Sequence, residues 1–120
     1  MRSALAGALM AALLIAGSGA ALAHAMLDHA DPRVGSTVRS APREVSLTFT
    51  QDLEPALSSV QVTNASGERV DDGPQSVSGN VIRVKLNALP AGTYRVQWRA
   101  VSRDTHATEG SFTFHVRDRD

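Results

Sequence analysis

Between residues 44 and 116 apolar and polar side chains alternate repeatedly with a period of two. Val45, Leu47 and Phe49 are interleaved with Glu44, Ser46 and Thr48, the pattern of a strand that buries one face and wets the other. The same alternation runs through Val60 and Val62, through Ile82, Val84 and Leu86, through Tyr94, Val96, Trp98 and Ala100, and through Phe112, Phe114 and Val116. Turn-forming clusters separate these runs: Asp31-Pro32, Ala41-Pro42, Asn64-Ala65-Ser66-Gly67, Asp72-Gly73-Pro74, Ser78-Gly79-Asn80 and Leu89-Pro90-Ala91-Gly92. Short strands at intervals of ~8–12 residues predict an antiparallel sandwich or small barrel. A weaker extended segment is expected over 25–30, with Met26, Asp28 and Ala30 on one face and Leu27 and His29 on the other. Its task is to dock the start of the domain on the sheet. The end, Arg117-Asp118-Arg119-Asp120, reads as a solvated tail.

The first 23 residues follow a different rule. A basic start (Met1-Arg2), an apolar run from Ala4 to Ile15 and the small-x-small exit Ala21-Leu22-Ala23 predict a secretory signal peptide over 1–23, cut before His24. One domain, 24–120, remains, and histidine becomes its first residue. Cleavage makes a new chemical group. An N-terminal histidine offers a free amine and an imidazole that can close a chelate ring on one metal ion, which an internal histidine cannot.

Composition narrows the classes of function. The chain has no cysteine, so disulfides, thiolate nucleophiles and iron–sulfur clusters are excluded, and the domain must stand on its apolar core. Loss of Arg2 leaves 11 basic residues against 12 acidic ones, a net charge of about −1, with no basic stripe to neutralise a phosphate backbone. Nucleic acid is therefore not an expected partner. Beyond the leader no apolar run approaches the ~20 residues that span a bilayer, so the cleaved protein is expected to be soluble outside the cytoplasm.

Four histidines are available: His24, His29, His106 and His115. In extended backbone residues i and i+2 project to one side, so Asp104 and His106 can face a common ion while Thr105 points away. With the new N-terminus, the donor set is the His24 amine, the His24 and His106 imidazoles and the Asp104 carboxylate. Three nitrogens beside an oxygen suit the tetragonal preference of copper(II), with zinc as the runner-up. Keeping the amine unprotonated costs only ~1–2 kcal/mol, whereas a formed metal site returns on the order of 10 kcal/mol. His115 alternates with Phe114 and Val116 and is read as a surface histidine; His29, five residues from His24, is read as solvent-facing too, with the ion or a second weak site as the alternative. Met26 is read as core filler, and Trp98 and Tyr94 as core residues. No Gly-x-Ser-x-Gly elbow and no phosphate-binding glycine loop is present, so an enzyme is not expected.

The stretch Trp98-Arg99-Ala100-Val101-Ser102-Arg103-Asp104-Thr105-His106, followed by Gly110-Ser111-Phe112-Thr113-Phe114, resembles the C-terminal signature of the CopC family of periplasmic copper-resistance proteins. His24-Ala25-Met26-Leu27, Asp31-Pro32, Gly35-Ser36, Ala41-Pro42, Leu47-Thr48-Phe49 and Leu89-Pro90-Ala91-Gly92-Thr93-Tyr94 resemble the rest of that family's domain. The resemblance implies a Greek-key β-sandwich of about seven antiparallel strands. It implies a periplasmic carrier or buffer that binds copper(II) through His24, His106 and Asp104, with a CopD-type inner-membrane protein as partner. Two departures stand out. Residues 64–86 hold no methionine or histidine, so a single copper(II) site and no copper(I) site is expected. Gln51 stands where some relatives place a glutamate, and it can hydrogen-bond the amine or a bound water. Two other classes compete: a secreted copper monooxygenase, for which one Trp, one Tyr and three Phe offer little substrate-binding face, and a structural module without metal.

Overall fold

The computed structural model describes residues 24–118. Both the leader expected over 1–23 and the last two residues of the tail lie outside them. Eight strands follow in order: β1 (Leu27–Asp31), β2 (Thr37–Val38), β3 (Glu44–Phe49), β4 (Ser59–Thr63), β5 (Asp71–Ser78), β6 (Val81–Leu86), β7 (Gly92–Val101) and β8 (Ala107–Val116). They form two four-stranded sheets, ordered β1-β3-β6-β5 and β2-β8-β7-β4. The chain passes repeatedly from one sheet to the other, a Greek-key sandwich of the all-β class expected. All pairings are antiparallel except one, the two-residue β2, which runs parallel to β8 through Thr37 and Val38.

The alternation does what the pattern demands. Val45, Leu47 and Phe49 of β3 and Ile82, Val84 and Leu86 of β6 face Val60, Val62, Tyr94, Val96, Phe112 and Phe114 of the other sheet, all buried in one cluster. Such a core is sensitive to truncation, at ~3–5 kcal/mol for a buried Phe cut to Ala. The Tyr94 hydroxyl donates to the Pro90 carbonyl at 2.5 Å, which ties the turn before β7 to the core in the manner of a tyrosine corner. Trp98, half-buried, meets Phe49 edge-on at 5.1 Å and lies over Gly110, its cross-strand partner on β8. Any Cβ at Gly110 would stand 2.4 Å from the indole, so the close approach of the ring requires glycine there.

Three expectations change. Asp72-Gly73-Pro74 is not a turn between strands but part of β5, which shifts register between Asp72 and Ser76, with Gly73 at φ +81°. A proline is tolerated there because β5 is an edge strand interrupted by this irregularity. Met26 is not core filler: it is 55% exposed. The β1–β3 ladder shifts register between Leu27 and His29, so the alternation assumed across 25–30 breaks, leaving Ala25 and Ala30 buried and Met26 outside. Finally, Asp104 and His106 do not sit on extended strand. They occupy the turn between β7 and β8, whose last paired residues are Val101 and Ala107.

Candidate metal centre

His24 is held at the end of the sandwich by hydrogen bonds from the residues around it. Ala25 is fully buried, and its carbonyl accepts from Thr108 Oγ1 at 2.6 Å. Met26 N donates to Thr50 Oγ1 at 2.9 Å, Thr50 N donates back to the Met26 carbonyl at 2.9 Å, and Thr50 Oγ1 donates to the His24 carbonyl at 3.4 Å. The start of the domain is thus stitched to β8 and to the residue after β3. His24 is half-buried, and its Nδ1 is buried without any hydrogen-bond partner. An imidazole nitrogen removed from water and left unpaired is costly, and it is the condition expected of an atom reserved for a ligand.

The second arm comes from the β7–β8 turn. The His106 ring stands 4.9 Å from that of His24, edge to face at 83°. His106 Nδ1 lies 3.2 Å from Asp104 Oδ2, while the other carboxylate oxygen accepts from the hydroxyl of buried Ser102. These bonds, the Ser102 one foremost and the His106 one next, hold the Asp104 carboxyl down at about 2, below its ordinary 3.8. Asp104 is therefore ionised near neutral pH and stands as an acceptor beside His106 Nδ1, the ring nitrogen nearer to it. That is the arrangement by which a carboxylate orients an imidazole for metal binding.

Of the residues singled out from sequence, His24, His106 and Asp104 come together, His24 to His106 and His106 to Asp104. Among the described residues no three His, Cys, Asp or Glu side chains by themselves form a metal-holding group. In the full chain the His24 nitrogen is still in its peptide bond to Ala23. His29 lies on β1 and pairs with its neighbour Asp28 at 3.0 Å, and His115 is hydrogen-bonded to Thr93 at 2.8 Å on the outside of β8. Gln51 is exposed and lines a polar cleft of about 480 Å³ together with Thr50, Asp52, Asn80 and Asp104. Sequence reasoning missed Ser102, Thr50 and Thr108. Ser102 precedes Asp104 by two residues, and that spacing is the only signal it offered.

Fold and cluster together define a β-sandwich domain with a histidine pair and a carboxylate beside it. The chain belongs to the CopC domain family, whose model matches residues 27–117. Copper resistance protein C of Escherichia coli is 35% identical over 107 residues, covering 81% of this chain and 84% of that one. The copper transport protein CutJ of Bacillus subtilis is 33% identical over 98 residues, 78% of this chain but 18% of its own length. Among solved structures, PcoC of Escherichia coli, described as a methionine-rich copper resistance protein, superposes with a TM-score of 0.70. Its identity is 33%, over 79% of this chain and 100% of PcoC. Among the described residues no helix is long and apolar enough to cross a membrane.

Proposed function

We propose that this protein is a periplasmic copper(II) carrier or buffer, a binding protein rather than an enzyme, and that it becomes competent when residues 1–23 are removed. The observation that carries the reading is the unpaired, buried Nδ1 of His24 beside the His106 ring at 4.9 Å. The freed His24 amine and Nδ1 chelate the ion, His106 Nε2 supplies the third nitrogen, and Asp104 orients His106. Each Asp104 oxygen keeps a second lone pair, so the same carboxylate can complete the donor set. Gln51, on the neighbouring cleft, would hydrogen-bond the amine or a bound water.

Relatives named for copper resistance and copper transport support the choice of ion. Copper(II) rather than copper(I) follows from the donors, nitrogen and oxygen with no thiolate. Met26 is the only methionine among the described residues, in contrast to methionine-rich PcoC, so no copper(I) site is assigned. A CopD-type inner-membrane protein is the partner that would move the ion onward. In CutJ a domain like this one occupies less than a fifth of a longer transport protein, which is in keeping with such a pairing.

The test compares copper(II) affinity of protein beginning at His24 with that of protein carrying one added N-terminal glycine. The chelate requires a loss of at least ~100-fold, given the ~1.4 kcal/mol per decade of affinity and the removal of one strong donor. Equal affinity would refute it. Paramagnetic resonance of the His24-start form should show hyperfine structure from three nitrogens, and an oxygen-dominated spectrum would count against the site.

A further inference from the structure

Thr105 is the one non-glycine among the described residues with positive φ, at +68°. A β-branched residue is strained in that region, because its Cβ crowds the backbone carbonyl. Strain of this kind persists only where the surroundings over-determine it, and here they do. Thr105 N donates to the Ser102 carbonyl at 2.9 Å, and Ser102 N donates to the His106 carbonyl at 3.0 Å, closing the turn on both sides of Asp104. The Thr105 side chain is exposed, and its hydroxyl donates only to the adjacent Asp104 carbonyl, at 2.5 Å. No contact of that side chain explains its place between the two site residues. Its backbone does: in extended chain residues 104 and 106 stand ~7 Å apart, side by side, with nothing to turn one toward the other. A left-handed residue between them folds the chain so that the carboxylate meets Nδ1.

We infer that Thr105 is a positioning residue of the metal centre, whose left-handed backbone conformation, not its side chain, joins Asp104 to His106 before the ion arrives. The inference rests on the copper reading above for its effect on affinity, and on the apo protein for its effect on geometry. A turn that escapes to right-handed conformations must be brought back on binding, which weakens apparent affinity by the fraction of competent molecules.

The experiment is a series at this one position in protein beginning at His24: Thr105→Asn, Thr105→Gly and Thr105→Val. Copper(II) affinity is measured by competition, and the Asp104–His106 bond by the His106 ring nitrogen resonances without metal. Asn and Gly tolerate positive φ, whereas Val matches Thr in size but, without a hydroxyl to bond the local backbone, tolerates positive φ least of the four. Thr105→Asn should bind as tightly as wild type or tighter, with Thr105→Gly within about threefold. Thr105→Val should bind ~3- to 10-fold more weakly, with His106 resonances moved toward those of a free imidazole. An order following left-handed tolerance rather than side-chain size supports the inference; uniform affinity across the series, or equal losses in Asn, Gly and Val, overturns it. Should wild type itself not bind copper(II), the functional reading fails. The metal-free resonances then still decide whether Thr105 sets the Asp104–His106 contact.

Discussion

Asp71 and Asp104 are both held below the ordinary carboxyl range, and they do opposite jobs. Asp71 lies at the seam between the two sheets, with a side chain only 6% exposed. Its burial pushes the carboxyl up, but a two-pronged bond from Arg69 at 2.9 and 2.7 Å and the Val62 N–H at 2.9 Å outweigh that and bring it down. Gln75 extends the seam, accepting from Val60 N at 2.9 Å and donating to the Ser58 carbonyl at 2.6 Å. These side chains of β5 and its approach thereby cap the edge of β4 and shield it from edge-to-edge pairing. Asp104 is 53% exposed, and its partners are a hydroxyl and an imidazole rather than a permanent cation. A carboxylate locked to arginine and backbone closes structure. One bonded to an imidazole leaves that ring's second nitrogen free for a ligand, and in this chain the ring stands 4.9 Å from that of His24, whose Nδ1 is buried and unpaired.

The contrast can be broken from either side. The largest effect expected is on metal: His106→Ala should lower copper(II) affinity at least ~100-fold while leaving the denaturation midpoint of the metal-free protein within error, as equilibrium titration and urea melts would show. Asp104→Asn should cost ~10–100-fold in copper(II) affinity, the range for residues that orient a ligand, with a small but measurable drop in the metal-free urea midpoint at neutral pH. Asp71→Ala should do the reverse. It leaves the Val62 N–H without its acceptor, so urea unfolding should report a loss of about 2 kcal/mol with copper affinity unchanged. Gly110→Ala forces the indole of Trp98 off Phe49, with a comparable cost of ~1–3 kcal/mol and a shifted tryptophan emission.

The smallest effect is on acid stability. Both carboxyls lose protons more readily in the folded than in the unfolded chain, so in the acid range the native state binds fewer protons and stability falls with pH. For Asp104 the contribution is complete above 3.8 and gone once pH drops past about 2. The difference in urea midpoint between wild type and Asp104→Asn should therefore vanish across that window. A difference that persists unchanged at pH 2 would show that the Ser102 and His106 bonds do not hold the carboxyl down.

Much of the sandwich was legible because β3, β4, β6, β7 and β8 each bury alternate residues, and alternation survives in a linear sequence. Two strands were not. β2 has two residues, too few for a period, and β5 carries a Gly-Pro interruption that looks like a turn until β6 pairs on either side of it. The misplaced Met26 has the same origin as β5, a register shift that no single strand announces. At the site, residue types and the N-terminal position pointed to His24, Asp104 and His106, but for an imperfect reason. Extended geometry was assumed where the chain turns, and the left-handed Thr105 that makes the turn has no signature in its residue type. The approach of His24 to His106 depends on Thr108 and Thr50 gripping the residues beside His24, tertiary contacts that spacing does not encode.

That grip bears on when the proposed cleavage could occur. Ala25, two residues past the proposed cleavage bond, is fully enclosed once Thr108 takes hold of its carbonyl. A peptidase needs the chain on both sides of its target loose and extended, so the cleavage proposed above would have to come before these contacts shut. An exported chain that folds first would keep its prefix and never acquire the terminal claw, whatever the supply of metal outside.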